Sequence, residues 1–201
     1  MPKYANTKKM IMETTLALFS RLGYEGTSIR NIAGEVGVRE SAIYNHFKSK
    51  EDILKAIVNE FKASAAGTNL LNEELLDELD NPHIFMKNFS AKLIEQWNSD
   101  KERKFFRLLV MEQFREVEGI NLSVTEYFNE TRAVWEMIFG QMIKHKFIKR
   151  YDPKLLAEEF IAPLYFMRME NLVGKHNIKI EKIMKSVNKH IDFFWSAIDI
   201  N

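Results

Sequence analysis

A chain of 201 residues and 23.7 kDa that is 46% hydrophobic can bury one large core or two smaller ones, and it reads as globular. It contains no Cys, which excludes disulfides, thiolate nucleophiles and Cys-based zinc sites. The net charge of +1 hides an uneven division: residues 1–50 hold 8 Lys and Arg against 4 Asp and Glu, and the remainder holds 21 against 24. The start "MPKYANTKKMIMETT" lacks the apolar run of a signal peptide, and the longest apolar stretch, "FIAPLYFM", falls far short of the roughly 20 residues of a membrane span. The expectation is a cytoplasmic protein with no membrane partner.

Four Pro, eight Gly, no strand-like alternation and many apolar spacings of three and four residues predict an all-α protein. Ile11, Thr15, Leu18, Phe19 and Leu22 share one face of a first helix over about 7–22, and Gly23 suits its left-handed exit. Thr27 or Ser28 caps a second helix that turns Ile29, Ile32, Ala33 and Val36 inward, with Gly37 making a sharp turn. A third helix over 39–47 buries Ala42, Ile43 and Phe47. Ser49 followed by Asp52 resembles a capping box and opens a fourth helix that runs to about Ala65. Past Gly67 the acidic "NEELLDELDNP" reads as a solvated connector helix. Further helices are predicted over 82–97, 102–118, 123–146, 153–173 and 180–198, punctuated by Asn81-Pro82, Gly119, Asp152-Pro153 and Gly174.

Residues 27–54, "TSIRNIAGEVGVRESAIYNHFKSKEDIL", set two short helices around a Gly turn. Such a helix-turn-helix places its second helix in the major groove of DNA while the first crosses the backbone. Arg30, Arg39, Tyr44, His46, Lys48 and Lys50 surround the turn as partners for phosphates. The small Ser41 and Ala42 permit close approach to bases.

The order and spacing of "IMETTLALF", "LGYEGTS", "IRNIAGEVGV" and "IYNHFKSKEDIL" resemble the DNA-binding domain of the TetR family of bacterial transcriptional regulators. Farther on, "YDPKLLAEEF" resembles the entry to that family's penultimate helix. The resemblance implies phosphate contacts from Thr27, Ser28, Tyr44, His46 and Lys50, and base-facing positions at Arg30, Glu40, Ser41, Ala42 and Asn45. Arg39 stands where a small hydroxyl residue is usual and Ser41 where Gly is frequent. Arg39 is a poor N-cap, so an added phosphate or guanine contact is expected of it. Glu40 suits a helix N-terminus and can accept from cytosine N4, though phosphates repel it.

The resemblance further implies an N-terminal helix-turn-helix domain over 1–50, a connecting helix over 51–66, and a helical ligand-binding and dimerisation domain over 67–201. Two apolar seams support a homodimer held by the last two helices: Leu156, Phe160, Leu164 and Met167, then Ile183, Val187, Ile191, Phe194 and Ile198. The same stripes also suit packing inside one protomer. Met86, Phe89, Leu93, Trp97, Phe106, Phe114, Trp135, Phe139, Met142 and Phe166 form an aromatic and Met set suited to an apolar or aromatic small-molecule effector, and equally to plain core. Pro163 is expected to kink the penultimate helix beside them. His residues at 46, 83, 145, 176 and 190 have no zinc-binding spacing, and neither a phosphate loop nor a Ser elbow is present. The expected function is therefore not catalysis but a ligand-responsive regulator, released from operator DNA without any cofactor. The rival is a DNA-binding dimer whose C-terminal part engages a protein partner.

Overall fold

The computed structural model describes residues 3–65, 68–115, 119–173 and 179–200. The expected breaks at Gly67 and Gly174, the helix end at Glu118 and His176 lie outside them. Among the described residues the secondary structure is helical, with an isolated antiparallel bridge between Ile148 and Asp199. The helices are α1 (Lys3–Leu22), α2 (Ile29–Val36), α3 (Glu40–Tyr44), α4 (Lys50–Ala65), α5 (Glu73–Asp77), α6 (Pro82–Asn98), α7 (Asp100–Glu112), α8 (Val124–Lys144), α9 (Pro153–Val173) and α10 (Ile180–Ile198). None among the described residues is long and apolar enough to cross a membrane.

The chain divides into two compact units, one from residues 1–63 and 100–124 and the other from 64–99 and 125–201. This departs from the boundaries expected at 50/51 and 66/67, and the cause lies in α7. Phe105, Phe106, Leu108 and Leu109 are buried on it. The helix packs along α1, and Phe105 stacks on Phe61 of α4 at 3.9 Å with the rings almost parallel. Apolar burial of this extent ties α7 to the N-terminal helices despite the sequence distance.

In the first unit Ile11, Thr15, Leu18 and Phe19 face inward as expected, while Leu22 is 49% exposed because the helix ends there. Gly37 adopts φ 78°, and its N–H and that of Val38 close the end of α2 on Ala33 O. A side chain here would carry the cost of the left-handed conformation. Ile32, Ala33, Ile43, Phe47, Ile53, Leu54 and Ile57 complete the buried core beneath α2 and α3.

The second unit is built around Trp135, which is fully buried against Phe160 at 4.3 Å, Phe89 at 5.1 Å and Phe139 at 5.6 Å. Its core takes in Leu75, so the acidic stretch is not a solvated connector. It is the short α5 followed by a 3₁₀ turn over Glu78–Asp80, pinned by one apolar side chain. Pro163 sits within α9, which continues through it from Pro153 to Val173.

Two expected groupings change. Leu156, Phe160, Leu164, Ile183, Val187, Ile191, Phe194 and Ile198, read as a dimer seam, are all buried in this core, with Met167 packed partly against it. Helical periodicity reports that a face is buried but not which partner covers it. Of the effector set, Met86, Phe89, Leu93, Trp97, Trp135, Phe139 and Met142 belong to the same packed core. Phe106 is buried in the first unit, and Phe114 and Phe166 are 91% and 66% exposed. A partly open cleft of about 280 Å³ lies elsewhere, between α8 and α9, lined by Thr125, Phe128, Asn129, Arg132, Glu158, Ile161, Ala162 and Tyr165.

Candidate nucleic-acid interface

The orientation of α2 is fixed at its first turn by reciprocal capping. Asn31 N–H donates to Ser28 Oγ at 3.1 Å, and Ser28 N–H and Oγ–H donate to Asn31 Oδ1 at 3.0 and 2.6 Å. This satisfies donors that a helix start otherwise leaves open. Arg39 occupies the N-cap of α3 without a side-chain bond to the helix, so its guanidinium is not used in capping. Glu40 follows in the first turn, where a carboxylate suits the helix end.

On the surface of α2, the turn and α3, Ser28, Arg30, Arg39, Glu40, Ser41, Tyr44, Asn45 and Lys48 are exposed, and Ala42 and His46 are half-buried. Tyr44 presents a ring that is 54% exposed. Cations, hydroxyls, amides and small side chains thus share one continuous solvent face around α3.

Two expected phosphate contacts are instead committed inside the protein. Thr27 is 1% exposed and its hydroxyl donates to Gly23 O at 2.9 Å. Lys50 Nζ donates to Tyr24 O and Thr27 O, both at 2.9 Å, and lies over the Tyr24 ring at 4.1 Å. Tyr24 O also accepts from Thr27 N–H at 3.3 Å, so the ammonium adds a second donor there and a bond to Thr27 O in the turn that follows α1. The ammonium of Lys50 therefore fastens the start of α4 to the α1–α2 turn.

Tyr24, 5% exposed, is the centre of that fastening. Its O–H donates to Glu51 Oε1 at 2.5 Å, and its ring stacks obliquely on Phe19 at 5.3 Å. Burial, and then the Glu51 carboxylate, hold the phenol proton well above its usual range. The bond from Tyr24, and next that from Ser49, draws the Glu51 carboxyl from 4.5 down to about 2. Sequence reading passed over Tyr24 and Glu51 because an isolated Tyr and a first-turn acid carry no spacing signal.

The depressed Glu51 pKa contributes stability that is fully present above pH 4.5 and is lost as pH falls toward 2. In Tyr24→Phe the leading cause of that depression is gone. Denaturant unfolding of the two proteins should show the wild type ahead at neutral pH, with the gap narrowing from pH 4.5 downward. A gap independent of pH would mean that the phenol–carboxylate bond is not its source.

With this geometry in view, the model of the family described as bacterial regulatory proteins, tetR family, matches residues 11–57, the span from α1 to α4. The HTH-type transcriptional regulator YerO of Bacillus subtilis (strain 168) is 24% identical over 190 residues, which is 92% of this chain and 63% of the length of YerO. IcaR of Staphylococcus epidermidis, the negative transcriptional regulator of the biofilm operon icaADBC, is 23% identical over 96% of this chain and 97% of its own. Among solved structures, a SmeT–triclosan complex superimposes with a TM-score of 0.69 at 19% identity, covering 98% of this chain and 93% of that one, which shows the fold. The matched segment is the one that carries the helix-turn-helix and its exposed face, so residues 11–57 form a DNA-binding domain of the kind found in the tetR family of bacterial regulatory proteins.

Proposed function

We propose that the chain is a repressor that binds pseudo-palindromic double-stranded operator DNA as a homodimer and is released by an apolar or aromatic small molecule. The observation that carries the reading is the face of α2 and α3, where Arg30, Arg39, Ser41, Tyr44, Asn45 and Lys48 are exposed above a rigid core. A symmetric dimer presents two such faces, and its half-sites lie about one helical turn, roughly 34 Å, or a small multiple apart. The reading needs no cofactor and carries a cytoplasmic location with it. IcaR, a negative regulator by name, supports repression by analogy.

The dimer surface is the outer side of the last two helices. Leu155 and Phe166, three helical turns apart, lie on the exposed side of α9, and Phe193 on α10 is 77% exposed. Large apolar side chains in solvent mark faces that pair. The effector belongs in the α8–α9 cleft, whose wall includes Phe128 stacked on Tyr165 at 3.9 Å and whose rim carries Arg132 bonded to Glu158 at 3.1 Å and to Asn129 at 2.7 Å. Apolar walls with a few fixed polar groups suit a small aromatic molecule. SmeT, captured with triclosan, supports an effector of this kind by analogy.

Binding-site selection tests the DNA reading. Arg30→Ala should cost about 1–3 kcal/mol and relax preference at one base pair, whereas Tyr44→Phe should weaken all sequences alike. An unchanged sequence profile for Arg30→Ala removes Arg30 from the base-reading set. For the dimer, Phe193→Asp should yield folded monomers in sedimentation, while Phe194→Asp and Leu164→Asp should unfold the protomer, because they place a carboxylate in its core. Dimers surviving in Phe193→Asp would place the interface elsewhere. In a screen of aromatic compounds against the operator complex, Ala162→Trp should abolish release and spare DNA binding. A screen in which nothing releases DNA favours a C-terminal part that binds a protein partner instead of a small ligand.

A further inference from the structure

The α1–α2 turn is held from a second side by a residue far along the chain. Tyr24 N–H donates to Glu112 Oε1 at 2.9 Å, across 88 positions of sequence. Glu112 is the last residue of α7, is 6% exposed, and lies beyond the residues 11–57 that match the family. Its other oxygen accepts from Arg115 Nε at 2.6 Å, and Arg115 Nη1 reaches Glu25 Oε1 at 2.9 Å. The carboxylate therefore bonds the turn directly at Tyr24 and indirectly at Glu25.

Gly23 is shaped to receive it. Its φ of 75° already favours glycine, and a Cβ there would stand 3.1 Å from Glu112 Oε1. The first end of α7 is fastened too, by the Phe105–Phe61 stack and by Lys101 paired with Glu60. Since α7 is anchored to α4 at one end, the carboxylate at its other end sets where the turn, and α2 after it, sits relative to α4.

We propose that Glu112 is a positioning residue for DNA recognition: its carboxylate, supplied by α7, holds the Tyr24 N–H and so fixes the placement of α2 and α3 on which sequence-specific binding depends. The inference rests on the reading of α2 and α3 as the DNA-contacting face. A charge-assisted bond to a buried amide is stronger than a neutral one, and its loss leaves a buried donor open. Phosphate attraction comes from surface cations and is unaffected by this bond, so specific and non-specific affinity should separate.

The test uses the full chain, an operator obtained by selection from random duplexes, and an unrelated duplex of equal length. Glu112→Ala should weaken operator binding by about tenfold, with the unrelated duplex changed by less than about twofold. Glu112→Gln makes the same change in charge but keeps an acceptor oxygen, and should recover most of the loss. Glu112→Asp keeps the charge but withdraws the acceptor by one methylene, and Gly23→Ala displaces it, so both should weaken operator binding. The Tyr24 amide proton resonance should move in Ala, Asp and Gly23 variants and stay near its wild-type position in Gln, which decides the matter through Gln and Asp even if Glu112→Ala does not fold. Operator affinity and Tyr24 resonance both unchanged in Glu112→Asp and Glu112→Gln would overturn the role. Equal loss on both duplexes would also overturn it, because Glu112 would then support the fold and not recognition. A wild type that selects no sequence would instead sink the DNA reading itself.

Discussion

The bonds that converge on Tyr24 are the constraint on which the DNA-facing surface depends. This residue lies just beyond the end of α1, in the turn where the chain reverses into α2. Lys50 donates to its carbonyl, Glu51 accepts from its phenol O–H, and Glu112 accepts from its amide. Helices α4 and α7 are thus joined to the turn after α1 at one buried residue, through its main chain and its phenol.

Thr27 is buried and Lys50 half-buried, and both make hydrogen bonds within that junction. The exposed cations are Arg30, Arg39 and Lys48, with Tyr44 and Asn45 between them. Arg39, unused as a helix cap, adds to the face of α2 and α3 the planar donor group best matched to guanine.

Much of the N-terminal architecture was legible in the chain. Gly23 stands where a left-handed residue was expected, Gly37 makes the expected turn, and Ile11, Thr15, Leu18 and Phe19 of α1 with Ile32 and Ala33 of α2 are buried at helical spacing, while Ile29 and Val36 are half-buried. What could not be read was which partner an apolar stripe meets. Leu164 and Phe194 showed the same spacing whether they packed against their own protomer or a second copy, and the structure puts them in their own core. Phe166 and Phe193, exposed on the same two helices, gave no signal because a single apolar residue on a polar face is common. The cleft was missed for a related reason: Trp135 and its ring neighbours pack on one another in the core, whereas Thr125, Asn129 and Glu158 form a rim that no apolar pattern marks. Glu112 was invisible as a partner of Tyr24 because nothing in sequence links residues 88 positions apart.

Hydrogen–deuterium exchange of the full chain, with and without a selected operator duplex, is the most direct measurement of the central claim. The account predicts protection confined to residues 28–48, the α2–turn–α3 face, while amides at the junction around Tyr24 are already slow in free protein because their bonds are made within it. Protection absent from 28–48, or concentrated instead on α9 and α10, would contradict it.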